Sequence, residues 1–448
     1  MDNAIKVKRL PRDPGLSGWN ALLEAPPPPR VCEENITADW LVIGAGFAGL
    51  AAARRLSQLR ASERIVLLDA VRVGTGPAGR NAGFMIDLPH DISAEGYAGG
   101  LEKDQRQIAM NRAAIGFARE AVEEHGLPRE AFDPAGKINA ATTEQGQRQN
   151  ESFAAHLGRL GEDHRLLDAD AMRNITGSEF FCGGIFAPGT VMIQPALFVR
   201  GMADGLVRGG VELFEESPVT GLERLGPDWR ATTPQGSVTA PRVVLTVNGH
   251  ANSFGLFERR LMHIFTYASL TRALSDSEVR TLGGEPRWGA TPSHAQGTTV
   301  RRISGTGGDR ILIRNRFTYD ASMEVGQRRM ATVARGHDRS FAARFPMLAD
   351  VTMEHRWGGR LCLSRNGVPA FGEQKPGLFS ACCQNGVGIA KGTLSGMLAA
   401  ELAGGGNHPM VADMLAFEEP ERLPAEPFAS LGANAYLRWK TWRAGVEF

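Results

Sequence analysis

An α/β fold is predicted by three features of the sequence. These are a strand–glycine–helix unit around residues 40–56, an acid-bearing strand that follows it, and a β-rich interval between about Arg259 and Glu354 that interrupts the pattern. The apolar run Trp40-Leu41-Val42-Ile43 leads into Gly44, Gly46 and Gly49, a G-x-G-x-x-G spacing that passes directly into a helical pattern over 50–56. Gly44 permits the tight turn out of the strand and Gly46 lets backbone amides approach a pyrophosphate. Gly49 lets the helix pack against the sheet with its positive N-terminal end towards the phosphates. The next strand, Ile65-Val66-Leu67-Leu68, delivers Asp69, 20 residues after Gly49, where a carboxylate can accept both hydroxyls of an adenosine ribose. The three signals stand in the order that a dinucleotide-binding βαβ unit requires.

Composition narrows the class. At 448 residues the chain can hold about three average domains, although large α/β enzymes often use two. Hydrophobic residues make up 42% and charged residues 22%, with 50 Lys+Arg against 49 Asp+Glu. This balance suits a globular enzyme and gives no electrostatic reason to expect nucleic acid or an anionic membrane as partner. No apolar run reaches the roughly 20 residues needed to span a bilayer, and residues 1–10 are charged with no apolar signal core, so cytoplasmic residence is expected. Cys32, Cys182, Cys362, Cys382 and Cys383 form no C-x-x-C pair and stand at no metal-ligand spacing with His, which predicts reduced thiols and no metal.

Along the chain, residues 1–37 lack a hydrophobic period and Pro26 to Pro29 require extended backbone, so an N-terminal arm lying across the surface is expected. The loop 74–85 is too rich in glycine for regular structure. A helix is predicted at about 105–124, short strands at 137–143 and 180–193, and a helix at 195–208 with Phe198, Met202 and Leu206 on one face. Short strands follow at 211–214, 219–222, 229–233 and near Val238, then a buried parallel strand from Val243 that ends in the turn Asn248-Gly249. The inserted domain reads as strands at 261–273, 298–303 and 311–319 with a helix at about 327–345. Strand 378–382, loop 384–388 and a helix to about Leu402 return to the first domain. Gly388, Gly392 and Gly396 bare one helix face for a flat cofactor or another backbone. The expected division is an arm at 1–37, a discontinuous first domain at 38–118, 170–257 and 356–415, a second at 119–169 and 258–355, and a tail at 416–448.

These pieces, in this order, resemble the D-amino-acid-oxidase-type (DAO) family of FAD-dependent oxidoreductases over about residues 38–445. The matching elements are G-x-G-x-x-G with Asp69 in place of the usual Glu, and the G-x-G-x-x-G-R-N-A-G run from Gly74 to Gly83. They continue with Pro218-Val219-Thr220 before a strand meander, the 243–249 strand and turn, Trp357-Gly358-Gly359 with Pro369 and Gly372 downstream, and Asn385-Gly386-Val387-Gly388. The Trp-Gly-Gly spacing, the proline-bearing arm and the Trp/Arg-rich tail from Tyr436 to Val446 look most like the γ-glutamylputrescine oxidase branch.

The resemblance implies a Rossmann-like FAD-binding domain of the glutathione-reductase type, with an inserted substrate domain of mixed antiparallel sheet and helices. It implies that Phe47 and Ala48 contact the pyrophosphate, Asp69 and Ala70 the adenosine, and Val219 the adenine, and that Ala82, Gly83 and Phe84 lie along the isoalloxazine. Asn385, Gly386, Val387, Gly388 and Ile389 would offer amides at a helix N-terminus to the flavin N1/C2 carbonyl region, where negative charge develops on hydride acceptance. Arg80, Asn81, Gly249 and Gly359 complete the implied set. No histidine follows Gly83 at the family's attachment position, and Cys362 does not align with its attachment cysteine, so non-covalent FAD is expected.

The implied chemistry is the cofactor's. A neutral amine donates its α C–H as hydride to flavin N5, and water hydrolyses the imine. In glycine-oxidase-like members an arginine two positions after the W-x-G glycine binds the substrate carboxylate. Here that position is Leu361, and Arg360, one residue earlier, faces the other way on a strand. A second arginine of some amino-acid oxidases is Gln384 here. The expected substrate is therefore an amine, an N-substituted amino acid or an opine-like molecule. Tyr267, Arg316, Trp357 and Arg360 are the candidates around the reacting centre, with Tyr319 beside Arg316, while His90 and His263 read as structural histidines. A 2-hydroxy-acid or polyol dehydrogenase of the same fold, and a flavin-bearing subunit that needs a partner, are the competing readings. No second G-x-G-x-x-G stands in a strand–helix context for a built-in NAD(P)H site. The electron acceptor is left open between oxygen and a quinone or carrier.

Overall fold

A computed structural model describes residues 4–13, 15–90 and 99–447. The predicted parallel sheet forms with the spatial order Glu212–Phe214, Ile65–Leu68, Trp40–Ile43, Arg242–Leu245, Leu378–Cys382, Ala370–Lys375. Only the last pair is antiparallel. Its central strands are buried along their whole length because both faces are covered. One face carries Val42, Leu67, Val244 and Phe379 against the helices Phe47–Leu59, Leu101–His125, Pro195–Arg208 and Gly388–Gly404. The other face carries Leu41, Ile43, Val66 and Val243 against the antiparallel meander Gly221–Leu225, Asp228–Thr232 and Ser237–Ala240.

Glycine decides how the two glycine-bearing helices meet. A Cβ on Gly396 would lie 1.8 Å from the Ala48 carbonyl oxygen, and one on Gly392 3.3 Å from the Phe47 Cβ. At Gly396 the bare face serves the close approach of another backbone, while Gly392 also lines a cavity.

The second sheet runs Met353–Leu363, Met262–Thr271, Arg310–Tyr319, Thr299–Ile303, Trp288–Pro292, Lys137–Ala141, Gly183–Ala187, Arg165–Asp168. It is antiparallel apart from the Trp288–Pro292 and Lys137–Ala141 pair, and the helix Gln327–Arg344 backs it. Gly183–Ala187 and Met353–Leu363 pair here, although the expected division gave 170–257 and 356–415 to the first domain. Side-chain patterning reports that a segment is a strand, whereas the partner that completes its hydrogen bonds decides its sheet.

The N-terminal arm does not simply lie across the surface. Ile5–Lys6 and Asn35–Thr37 add strands to the two edges of the meander. The short helix Gly18–Ala21 is sunk into the protein, with Trp19 fully buried. Among the described residues no helix is long and apolar enough to cross a membrane.

Candidate active site

A cavity opens where the two sheets meet. From the first domain it is lined by Gly44, Gly46, Phe47 and Ala48 at the first turn, by Asp69, Ala70 and Val219, and by Arg80, Asn81, Ala82, Gly83 and Phe84 of the glycine loop. Gly386, Val387, Gly388 and Ile389 close it, and Tyr267, Gly359 and Arg360 reach it from the second sheet. Gly49, Gly249, Asn385, Arg316 and Trp357 are not in its lining. Gly49 is where helix and turn touch, since a Cβ there would lie 1.7 Å from the Gly44 oxygen. A Cβ on Gly249 would lie 2.9 Å from His263 Nδ1. Asn385 braces the closing loop by accepting the Ser364 N–H at 2.9 Å and donating to the Val368 oxygen at 2.9 Å.

The donor set fits a dinucleotide. Phe47–Leu59 and Gly388–Gly404 both begin at the cavity, and neither has a side-chain N-cap. Their first N–H groups therefore have no side-chain acceptor, and their positive ends face the space. Asp69 Oδ2 accepts the Ala45 N–H at 2.7 Å and Oδ1 the Val71 N–H at 3.0 Å, which aligns the carboxylate at the cavity wall. Burial pushes its pKa up to about 6, Glu215 adds to the rise, and the amides of Val71, Ala45 and Ala70 pull against it. Each carboxylate oxygen keeps acceptor capacity beyond the amide it accepts, which a ligand's hydroxyls can use. A Cβ on Gly388 would meet no atom within 4 Å, so the bare Cα looks into open space where a ring can lie.

The glycine loop is clamped by long-range contacts that no local sequence pattern signals. From the arm, Ser17 Oγ donates to the Gly79 oxygen (2.7 Å), Asn20 Nδ2 to the Gly74 oxygen (2.6 Å) and Trp19 Nε1 to the Asn81 oxygen (2.7 Å). Arg80 donates to the Thr75 and Gly358 oxygens at 2.7 and 3.1 Å and also reaches the Gly15 oxygen. Trp357 is fully buried edge-on to Trp19, with ring centroids 6.4 Å apart, and donates to the Arg80 oxygen at 2.9 Å. It shapes the loop from behind the cavity lining. Arg301 is wholly enclosed and gives one Nη1 to the carbonyls of Ala82 (3.2 Å), Gly83 (3.2 Å) and Ile193 (2.6 Å). Burial lowers its pKa to about 10. Gly83, at φ +80°, has no room for a Cβ, which would lie 2.2 Å from that Nη1.

At the second-sheet end the expected candidates separate. Tyr267 lines the cavity, but its ring packs with Phe265, Val325 and Val333 and its hydroxyl is bonded to Thr318 Oγ1 at 2.7 Å. Arg316 is the extra residue of a β-bulge. Thr266 pairs with Phe317 and Tyr267 with Asn315, leaving Arg316 between them at φ +61°. The bulge breaks the alternation that the sequence implied, and it is Arg314, opposite Ala268 and Thr299, that lines the cavity. Arg360 also lines it, yet its guanidinium meets Asp13 of the arm at 2.7 and 3.2 Å and donates to His250 Nε2. Both partners of the Asp13–Arg360 pair are 8% exposed, so this charge is already met within the protein. Leu361 sits among Ile264, Phe317 and Tyr319. Burial and Arg360 hold His250 down to about 3 and His263 to about 4. Asp13, His250, Arg301 and Arg314 carry no local motif. The Arg314 strand was readable, but its cavity-facing register was not.

Two helix N-termini and a partly buried acid lining one cleft between a parallel and an antiparallel sheet fit the binding of a dinucleotide such as FAD. The family described as FAD dependent oxidoreductase (DAO) matches residues 39–402, and this chain belongs to it. It is 28% identical over 441 residues to a probable oxidoreductase of Rhizobium meliloti (strain 1021), covering 95% of this chain and 96% of that one. It is 26% identical over 401 residues to the gamma-glutamylputrescine oxidoreductase of Escherichia coli (strain K12), with 88% of each chain covered. Among solved structures, glycine oxidase from Geobacillus kaustophilus shares the fold at TM-score 0.71 and 18% identity, over 87% of this chain and 100% of that one.

Proposed function

We propose that this enzyme oxidises the C–N bond of an amine, an N-substituted amino acid or an opine-like substrate that carries an acidic group away from the reacting carbon. Bound FAD would supply the acceptor for the hydride that the substrate's α C–H gives up, and water would hydrolyse the imine left on the substrate. The observation that carries this reading is a group of cations around the cavity: Arg314 in its lining and Lys137, both on the second sheet, with Lys391 on the helix Gly388–Gly404. His90 in the wall is held well below the usual imidazole range, first by burial and then by Lys137, Arg314 and Lys391. The same cations disfavour an ammonium and so favour the neutral amine that can release hydride. Asp87, beside Lys137, offsets part of their field, and Lys137 itself is lowered to about 8 by burial.

In this reading Arg314 and Thr299 receive the acidic group, Arg360 is a positioning residue, and Leu361 gives an apolar wall. Gly44 to Ala48, Asp69, Ala70, Val219, the 80–84 loop and Gly386 to Ile389 hold non-covalent FAD, and Gly49, Gly249 and Asn385 shape that site. Alcohol oxidation is the weaker alternative, because it needs a base for the hydroxyl proton. Burial lowers His90, His250 and His263 from the ordinary imidazole range, which weakens each as a base. The substrates in the names of the E. coli oxidoreductase and the Geobacillus oxidase support C–N chemistry. Five free cysteines support a cytoplasmic setting, and oxygen or a quinone or carrier is the electron acceptor in this reading. Anaerobic mixing of the FAD-loaded enzyme with amines, opines and hydroxy acids tests the proposal. Bleaching by amines with release of ammonia or amine supports it, and bleaching by hydroxy acids alone overturns it.

A further inference from the structure

The helix Phe428–Ala444 packs one face on the second sheet and leaves the other bare. Its Ala433 and Leu437 join Ile264, Phe317, Tyr319 and Leu361 in one cluster. Asn434 fastens it, with Oδ1 accepting the Tyr319 N–H at 3.2 Å and Nδ2 donating to the Tyr319 oxygen at 3.1 Å. The outward face carries Phe428, Leu431, Trp439 and Trp442, exposed by 70%, 65%, 46% and 78%, at spacings close to whole helical turns that make one stripe. Arg438, Lys440 and Arg443 accompany the stripe, with Lys440 over the Tyr436 ring at 5.6 Å and Arg443 over Trp439 at 5.3 Å. No acidic residue occurs within the helix, although the whole chain has 50 cations against 49 anions. Of the acids just before it, Glu418 is exposed, Glu419 pairs with Arg260 (3.1 Å), Glu421 with Arg365 (3.5 Å), and Glu426 accepts the Tyr319 hydroxyl (3.0 Å).

We propose that this face docks on the surface of an anionic lipid bilayer, with the helix lying in the interface. Large aromatics buried at the headgroup boundary, cations alongside them and no acid among them are what such a surface selects. Tryptophan and tyrosine suit that boundary because each joins an apolar body to a polar tip. A two-fold contact with a second copy would bring three cations against three, which charge repulsion opposes. Leu361, under the helix, also lines the cavity, so docking would hold the cavity's apolar wall towards the bilayer. The proposal does not depend on which substrate is oxidised.

Co-sedimentation of the FAD-loaded full chain with vesicles tests it, using phosphatidylcholine alone and phosphatidylcholine mixed equally with phosphatidylglycerol. The expected result is binding to the anionic vesicles only. It should weaken about 100-fold in R438Q/K440Q/R443Q and about tenfold or more in W439A/W442A. FAD content, unfolding midpoint and turnover in free solution should be unchanged, which separates loss of docking from loss of fold. Failure of the unsubstituted protein to bind anionic vesicles, or equal binding by the variants, overturns the proposal. So does a dimer in sedimentation equilibrium that W439A/W442A dissociates, since the face would then belong to a second copy.

Discussion

Replacing Asp69 with Asn separates two opposed consequences of one partly buried carboxylate in the cavity wall. Enclosure raises the Asp69 pKa from the ordinary 3.8 to about 6, which corresponds to about 3 kcal/mol that the ionised group costs the FAD-free fold at neutral pH. The folded pKa is the higher one, so the folded state holds the extra proton. The FAD-free protein keeps this increment below about pH 4 and loses it as pH rises through about 6. Asn does not titrate. The stability of the unsubstituted protein minus that of Asp69→Asn should therefore fall by about 3 kcal/mol between about pH 4 and about pH 7 in denaturant unfolding of FAD-free protein. FAD binding has the opposite sign, because ribose hydroxyls donate best to the ionised carboxylate. Affinity should tighten as pH rises through about 6. At neutral pH the variant should bind about 10- to 150-fold more weakly, the loss of about 1.5–3 kcal/mol expected for bonds to a charged acceptor. Fluorescence titration of FAD-free protein with FAD reads this directly. Parallel stability profiles, or equal FAD affinity in the two proteins, would refute the assignment of Asp69 to the site.

Two glycines of one helix should behave differently. Gly396→Val has no room beside the Ala48 oxygen 1.8 Å away and should destabilise the FAD-free protein by about 3 kcal/mol or more. Gly388→Val, with nothing within 4 Å, should leave FAD-free stability within about 0.5 kcal/mol and impair FAD binding or reduction; unfolding curves with and without FAD distinguish them. Asp13→Ala strands the buried Arg360 guanidinium and should cost about 3–5 kcal/mol, most of it restored by adding Arg360→Leu; no restoration in thermal unfolding would show that the pair is not the cause. Arg301→Lys gives up the planar guanidinium on Ala82, Gly83 and Ile193 and should weaken FAD affinity about tenfold with a shifted flavin absorbance band, and an unchanged spectrum and affinity would remove Arg301 from the loop's support. Arg314→Gln should raise KM about 10- to 100-fold for acidic amines only, whereas equal changes for amines without an acid would mean that Arg314 does not read that group.

What could be read in advance was local. Strand Trp40–Ile43, helix Phe47–Leu59 and strand Ile65–Leu68 follow from apolar runs, glycine spacing and an acid at a set distance, because each depends on residues that are neighbours in the chain. Helix Pro195–Arg208 and strand Leu378–Cys382 were legible for the same reason. At the candidate site the glycines and Asp69 were visible because backbone conformation and close approach admit few residue types. Arg316 and Trp357 were plausible by type, yet a bulge turned one aside and a hydrogen bond to Arg80 put the other behind the lining.

The sequence by itself determined the class of cofactor site and the order of its elements, since glycine geometry and hydrophobic period are properties of short segments. Only the tertiary structure decided that the arm enters the protein, that Gly183–Ala187 joins the second sheet, that Arg314 rather than Arg316 lines the cavity, and that Arg360 is spent on Asp13. Asp13 and Arg360 are 347 residues apart, and their pairing is written in no local pattern. It follows from the packing of the arm against the second sheet, where a buried charge must find whichever partner the fold brings within reach.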